Sequence, residues 1–375
     1  MRTPRTLAGL LRAEGHLDDG WYETVAGLDR GAFVPDRIWL RGNDGYRPVT
    51  RTAQPERWRE AVYTDTAVVT QVADPDRVPA RRPTSSASMP RMVTRMLAAL
   101  DVEDGQRVLE VGTGTGYNAA LLAARLGDAQ VTSVEYDPDL ADQARAALKR
   151  AGYSPKVVTG DGGRGVPGGT PYDRVVATYS MHRIPLPLVA QTRPGGVIVL
   201  PWGTGLYNGV LLRLAVQDDG TASGPVIDDS AFMWDRTQEP DRDVMAVVNA
   251  DAARARTSRS DLDPRSLLGD PDMAFVAGVL VPGTRYSVGH ADDGSGEFTV
   301  WLADAGTASW AAADYEPGAT DFAIEEHGPR RLWDEAAAAY AWWRGSGSPE
   351  RTRFGVTVTP GGRHVWLDAP EHTVD

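Results

Sequence analysis

The chain has 375 residues, 42 % hydrophobic and 24 % charged, which is ordinary for soluble globular protein and long enough for about two domains with ample cores. A formal charge of −12 without a long Lys/Arg cluster argues against nucleic acid or an anionic membrane as the main partner, and the absence of cysteine excludes disulfides, thiolate metal sites and cysteine nucleophiles. The six histidines show no paired ligand spacing, so no metal site is expected; no apolar run approaches the ~18 residues of a membrane span or forms a signal peptide's core, so the expected location is cytoplasmic.

Residues 1–100 read as a mostly helical segment, a lid or platform ahead of the catalytic core, with Met92, Val93, Met96, Leu97 and Leu100 on one face of a helix begun near Pro90. From residue 101 to about 216, short β-rich runs alternate with helical patterns, the grammar of a doubly wound, mostly parallel sheet. The first strand, Val108–Val111, runs into Gly112-Thr113-Gly114-Thr115-Gly116 and then a helix, Tyr117–Leu126. Those glycines let the backbone pass close under a ligand, and the helix N-terminus offers free N–H groups.

A second strand, Val131–Glu135, ends in a carboxylate 19 residues past Gly116, suited to a ribose diol. The next helix is well punctuated: Asp137 can cap it, Pro138 starts it, Leu140, Ala144 and Leu148 share a face, and Gly152 stops it. A third strand closes on Gly160-Asp161-Gly162, a fourth spans 173–178, and a fifth spans 197–201 after Arg193-Pro194-Gly195-Gly196. In such sheets ligands sit outside the carboxyl ends of the strands, so the first four ends converge on one crevice. The polar stretch 217–224 could be a hairpin turn or the edge of the cofactor domain, and after about residue 228 the pattern changes. Residues 297–302 alternate like a half-buried strand, 331–344 read as a helix, and 353–358 with 364–367 read as a hairpin. The domain expectation is therefore 1–100, 101–227 and a C-terminal α+β domain over 228–375.

Two cofactor classes fit a glycine turn followed by an acid. A dinucleotide fingerprint wants its third glycine at 117, which is Tyr117, whereas this turn repeats glycine at every second residue. Glu110, two residues before the first glycine, could face an ammonium group directly or through water. These details favour S-adenosylmethionine, with S-adenosylhomocysteine as product. The candidate cofactor residues are Glu110, Gly112, Thr113, Gly114, Gly116, Tyr117, Glu135, Tyr136, Asp161 and Gly162.

Further segments extend the pattern. Val25 to Pro35 carries Arg30 and Phe33-Val34-Pro35, Tyr63 and Asp65 form a Tyr-x-Asp pair, and Pro171-Tyr172-Asp173 precedes a run from Ile184-Pro185 through Gln191-Thr192-Arg193-Pro194-Gly195-Gly196 to Leu200-Pro201. Over roughly residues 20–215 the chain resembles the protein-L-isoaspartate O-methyltransferase family. The resemblance implies a seven-stranded Rossmann-like methyltransferase sheet, an S-adenosylmethionine-dependent carboxyl methyl transfer, and a peptide or protein partner bearing Asp or isoaspartate. The family's hydroxyl loop, Gly-Gln-Thr-Ile-Ser-x-Pro, aligns with Thr84-Ser85-Ser86-Ala87-Ser88-Met89-Pro90, which places Ser88 on the catalytic-loop serine and replaces the Gly-Gln-Thr part.

A carboxylate is already ionised at neutral pH, so its methylation needs positioning and water exclusion more than proton removal. Ser88, with Ser86 beside it, could hold one carboxylate oxygen and aim the other. The bland alternative is that these hydroxyls turn the loop and cap the helix at Pro90; residue physics alone puts capping first, and the resemblance reverses that order for Ser88. Tyr63, Ser85, Tyr179 and His182 are candidate substrate contacts. His182 could also be a base for another acceptor, or simply support its neighbours.

The chain departs from the family by continuing well past the fifth strand, and this extended architecture resembles the actinobacterial branch that tailors ribosomally made peptides. Members of that branch methylate an Asp side chain, and the neighbouring backbone nitrogen attacks the ester to give an aspartimide, or isoaspartate after hydrolysis. Isoaspartyl repair is the alternative; a small-molecule methyltransferase, or a non-catalytic peptide-binding protein retaining the cofactor pocket, stands further off. Six of the eleven tryptophans, Trp301, Trp310, Trp333, Trp342, Trp343 and Trp366, fall in the last 75 residues. They suit a peptide platform, but core filling is the better-supported reading because Trp301 and Trp366 lie in strand patterns.

Overall fold

Two capped helices open the chain, α1 (Pro4–Ala13) and α2 (Asp19–Gly27): the Thr3 hydroxyl accepts from the Thr6 N–H, and the Asp18 carboxylate from the Trp21 N–H. The structure is a computed structural model that describes residues 3–74, 76, 82–238, 243–250 and 255–374. It divides into one unit of Met1–Tyr179, Ile184–Leu200 and Arg213–Ser223, and another of Ser180–Arg183, Pro201–Leu212 and Gly224–Asp375. This division cuts across the expected segments 1–100, 101–227 and 228–375: residues 1–100 group with most of the sheet, and residues 180–183 and 201–212 group with the C-terminal part.

In the first unit, residues 37–87 are not mostly helical as expected. Strands β1 (Arg37–Gly42) and β2 (Gly45–Thr50) flank α3 (Pro55–Val62) together with β3 (Val68–Ala73) and β4 (Arg82–Ala87), in an antiparallel sheet ordered β2-β1-β3-β4. A two-residue turn, Asn43-Asp44, joins β1 to β2 ahead of Gly45 at φ 101°, a hairpin signal that the scattered arginines obscure. Only one or two residues per strand reach the core, where Ile38, Val49, Val68 and Ala87 pack with Val34, Trp58 and Val62. So sparse a pattern carries little periodicity.

Helix α4 (Pro90–Leu100) buries Val93, Met96, Leu97 and Leu100. Then come β5 (Val108–Val111), α5 (Tyr117–Leu126), β6 (Val131–Glu135), α6 (Pro138–Arg150), β7 (Lys156–Thr159), β8 (Tyr172–Ala177), α7 (Leu186–Ala190), β9 (Thr192–Trp202), β10 (Val210–Val216) and β11 (Ala222–Asp229). Their order is β11-β10-β9-β8-β5-β6-β7, with parallel pairing established from β9 through β7 and a turn at 217–221 joining β10 to β11; the sheet has nine strands instead of the expected seven, because a C-terminal hairpin extends it beyond β11. All four residues of β5 are buried, as a central parallel strand covered on both faces requires. Asp137 caps α6 by accepting from the Asp139 and Leu140 N–H groups at 3.0 and 3.2 Å.

The second unit holds α8 (Val244–Ala250), β12 (Arg256–Ser260), α9 (Arg265–Leu268), α10 (Pro271–Leu280), β13 (Arg285–His290), β14 (Phe298–Asp304), β15 (Ser309–Tyr315), β16 (Phe322–His327), α11 (Leu332–Gly345) and the hairpin β17 (Phe354–Thr359) to β18 (Gly362–Leu367). Its antiparallel sheet runs β12-β16-β15-β14-β13. Helix α8 packs Val244, Val247 and Val248 on Ala303, Trp310 and Ala312, while α11 packs against β14, β15 and β16. Trp310, Trp333, Trp343 and Trp366 are buried, in keeping with core filling. Among the described residues no helix is long and apolar enough to cross a membrane, and no group of three or more acidic or histidine side chains is placed to hold a metal ion.

Candidate active site

Parallel pairing of β5 with β6, and of β6 with β7, sets three strand ends side by side in the first unit. The turn after β5 reverses through Gly112, Gly114 and Gly116 at φ 98°, 54° and 85°, which side chains rarely adopt. Its backbone is tied to the next strand: the Gly112 N–H donates to the Val134 carbonyl at 2.8 Å, and the Gly114 N–H to Glu135 Oε2 at 2.8 Å. Glu135 Oε1 accepts from the Asp137 N–H at 3.1 Å. Glu135 therefore holds the turn, and each oxygen keeps a lone pair for a ligand hydroxyl. Helix α5 starts at Gly116 without a side-chain cap, which leaves first-turn N–H groups available to an anion.

Gly160 donates to the Glu135 carbonyl at 2.8 Å, which brings Asp161 and Gly162 alongside. Asp161 Oδ1 accepts from the Gly163 N–H at 2.9 Å, and Oδ2 lies 3.5 Å from Arg164 Nε. A Cβ on Gly162 would lie 2.4 Å from Val111 Cγ1 and 2.7 Å from Tyr179 Oη; one on Gly112 would lie 2.6 Å from Thr178 Oγ1 and 2.9 Å from the Tyr179 ring. Tyr179 thus lines the same crevice, next to both glycines. Tyr136 follows Glu135 but is 55 % exposed.

Glu110 corrects an expectation. Its carboxylate is fully buried beneath the turn, not facing a ligand, because β5 is covered on both sides. It accepts from Asn118 Nδ2 at 2.8 Å and from the Ser133 hydroxyl, which is also hydrogen-bonded to the Thr113 hydroxyl. Burial pushes its pKa up to about 7, against the two hydrogen bonds and with help from the Glu135 charge.

The serine strand runs past this turn: the Ser86 carbonyl lies 3.8 Å from where a Gly114 Cβ would be. Thr84 donates to Gln71 Oε1 at 2.7 Å, and Gln71 Nε2 to Asp137 Oδ2 at 3.1 Å, which ties β4 to β3 and to the start of α6. Ser85 is buried, so its hydroxyl is not presented to a substrate. The capping alternative for Ser88 does not hold. The N-cap of α4 is Met89 with no side-chain hydrogen bond, and the first-turn Arg91 N–H is taken by Asp65 at 2.8 Å. No described residue hydrogen-bonds to the Ser86 or Ser88 hydroxyl.

Arg30 is the residue that sequence reasoning missed. It is 1 % exposed and donates to four carbonyls: Val62, Thr66 at 3.2 Å, Ala87 at 3.2 Å and Ser88 at 2.8 Å. One guanidinium therefore gathers the end of α3 and the end of the serine strand; burial lowers its pKa to about 10. Its only sequence signal was its place before Phe33-Val34-Pro35. Phe33 in turn meets the Tyr117 ring edge-on at 5.7 Å. Tyr63 is not brought to the crevice as a free hydroxyl: it donates to Asp29, and burial with that partner raises its pKa. His182 belongs to the second unit, where it stacks on Trp234 at 3.8 Å and burial lowers its pKa.

Residues 47–233 match the family described as Protein-L-isoaspartate(D-aspartate) O-methyltransferase (PCMT). Protein-L-isoaspartate O-methyltransferase 2 of Archaeoglobus fulgidus is 35 % identical over 199 residues, 52 % of this chain and 77 % of that protein. The Thermococcus sibiricus protein-L-isoaspartate O-methyltransferase is 38 % identical over 213 residues, 55 % of this chain and 88 % of that one. A solved protein-L-isoaspartate O-methyltransferase shares the fold with a TM-score of 0.55 at 19 % identity, over 98 % of this chain and 100 % of that one. The two sequence relatives match 52 % and 55 % of this chain, so the chain runs on beyond them as expected, while the solved structure shares the fold over nearly its whole length.

Proposed function

This chain belongs to the protein-L-isoaspartate O-methyltransferase family, as an S-adenosylmethionine-dependent protein carboxyl O-methyltransferase, and from that premise we propose that it methylates an Asp side chain in a ribosomally made peptide. One observation carries the site: two hydroxyls with no partner among the described residues, Ser86 on β4 and Ser88 just after it, follow a segment that passes the glycine turn and is pinned by Arg30 through the Ala87 and Ser88 carbonyls. Bound S-adenosylmethionine supplies a sulfonium-activated methyl group and leaves as S-adenosylhomocysteine.

The cradle fits such a group. Gly112 and Gly162 let the Tyr179 side chain pack close against the turn, the α5 N-terminus suits the amino-acid carboxylate, and Glu135 suits a ribose diol. Asp161 and Tyr179 complete its walls. Ser88 then donates to one oxygen of the acceptor carboxylate while the other is left free to attack, and no general base is needed because the acceptor is ionised at neutral pH. Burial of Ser85 and Ala87 on either side of Ser86 keeps this strand stiff, which favours orientation.

The tailoring reading rests on Thr84-Ser85-Ser86, which stands in place of the repair enzymes' Gly-Gln-Thr and which builds Thr84 into the Gln71–Asp137 network. The repair reading is favoured by the relatives' names and by the full-length likeness in fold, so the C-terminal part does not separate the two. Mass spectrometry separates them. The protein is incubated with S-adenosylmethionine and either an isoaspartyl peptide or a constrained Asp-containing precursor. A methyl gained by the precursor and then lost as methanol, leaving it one water lighter, supports aspartimide formation. Methylation of the isoaspartyl peptide alone returns repair to first place, and transfer to neither refutes both.

A further inference from the structure

In the second unit, β13 is an edge strand: it pairs with β14 on one side and with no described strand on the other. Edges usually carry prolines, bulges or charges that discourage pairing, because their free N–H and C=O groups template a further strand. Here the regular run from Tyr286 to His290 instead displays two of the few exposed large apolar residues, Tyr286 at 44 % and Val288 at 37 %. They lie two apart, on one face, opposite Leu302 and Val300 of β14.

The other face of the same strand is chemically different. Arg285, opposite Ala303, lines a cleft of about 520 Å³ together with Arg183, His182, Thr284 and α8 residues Val244 and Val247. Neither Arg183 nor Arg285 pairs with a carboxylate of any described residue. The acid in the wall, Asp304, is already neutralised by Arg330 at 2.9 Å and by hydrogen bonds from the Gly306 N–H and the Thr307 hydroxyl. The Thr284 side chain is 1 % exposed, and its hydroxyl has no partner. In a chain of charge −12 the cleft is thus a local cationic site, of a size that suits a bulky ligand group better than a lone ion. Gly205 packs against the Thr284 carbonyl at the start of β13, so the open edge begins where the cleft ends.

We infer that β13 takes up an extended peptide as an added strand, with apolar side chains over Tyr286 and Val288 and an acidic side chain in the cleft beside Arg285. Backbone pairing would supply affinity, and the alternation of side chains would supply selectivity. The assignment of that peptide as substrate rests on the function proposed above; the docking itself does not. Burial and the Arg285 charge hold His182 below its usual pKa, so the ring stays neutral and the arginines remain the cations that meet the acid.

The test uses a fluorescein-labelled palindromic heptapeptide, Asp-Leu-Ser-Val-Ser-Leu-Asp, which presents the same pattern in either strand direction, titrated against the full chain by anisotropy without cofactor. Binding is expected, with weakening at higher salt. The Asn-for-Asp peptide and the Arg285→Gln protein should each lose about fivefold or more in affinity, and the salt dependence should fall with them. A peptide N-methylated at alternate amides should not bind, because it cannot pair. Val288→Asn, checked for unchanged melting, should weaken the acidic and Asn-containing peptides alike. Equal binding of the N-methylated peptide, indifference to Arg285→Gln, or no binding at all overturns the inference. Self-association of the chain that Val288→Asn abolishes overturns it too, since a second copy would then be the occupant. Lost binding with methyl transfer intact refutes only the docking edge; binding without transfer refutes only the proposed function.

Discussion

Removing the buried charge under the glycine turn should make the protein more stable in alkaline solution. Glu110 is fully buried, and its pKa is raised from 4.5 to about 7, chiefly by desolvation. The folded state therefore holds the proton more tightly than the unfolded chain. The stability that Glu110 contributes is present below pH 4.5 and is lost as the pH rises to about 7, beyond which the whole penalty, about 3 kcal/mol, applies. Glu110→Gln keeps the shape and an acceptor for Asn118, and the Ser133 hydroxyl can turn to accept from the new amide. The imperfect exchange costs about 1 kcal/mol at every pH. Urea unfolding followed by tryptophan fluorescence at pH 5 and 8.5 should show the variant gaining about 2–3 kcal/mol on the native protein between those pH values. At pH 8.5 the net gain is about 2 kcal/mol, or about 4–8 °C in melting temperature for a unit of this size. A stability difference that does not change with pH would refute the reasoning, since it would mean that Glu110 titrates normally or is hydrated.

Ser88→Ala should leave the urea midpoint almost unchanged, because the hydroxyl has no partner among the described residues, yet lower kcat/KM for methyl transfer by about a hundredfold. Arg30→Met leaves four carbonyls without their donor and should cost about 3 kcal/mol or more in unfolding free energy; Arg30→Lys should recover part of the stability and of the transfer rate. Gly162→Ala forces Val111 and the Tyr179 hydroxyl aside. It should cost about 1–3 kcal/mol and weaken S-adenosylmethionine binding measured by calorimetry, while Gly152→Ala at the end of α6, with nothing within 4 Å, should leave that binding as it is.

Much of the crevice could be read because its determinants are local. The glycine turn, the acid at the end of β6, the Gly-Asp-Gly after β7 and the Asp-Pro start of α6 each announce themselves within a few residues, and parallel-sheet rules then place the strand ends together. Ser88 needed the family resemblance, because a serine before Pro90 looks the same whether it caps or not; the structure distinguishes the roles by putting Met89 at the cap. Glu110 and Ser85 were placed at the ligand surface by reading sequence position as exposure, but whether a strand residue faces a cavity or a covering helix is set by what packs over it.

What the sequence by itself determined is the doubly wound core and the glycine turn with its strand-end acids, which follow from turn chemistry and from hydrophobic periods of two and 3.6, while carboxyl methylation came from the family resemblance. Only the tertiary structure decided the rest. The β2-β1-β3-β4 sheet, the buried Arg30 with its four carbonyls, the grouping of residues 180–183 and 201–212 with the C-terminal part, and the open edge of β13 all arise from partners many residues apart. Long-range pairing leaves little trace in any short window: a buried arginine, an unpaired edge and a solvated one read alike until the chain has closed on itself.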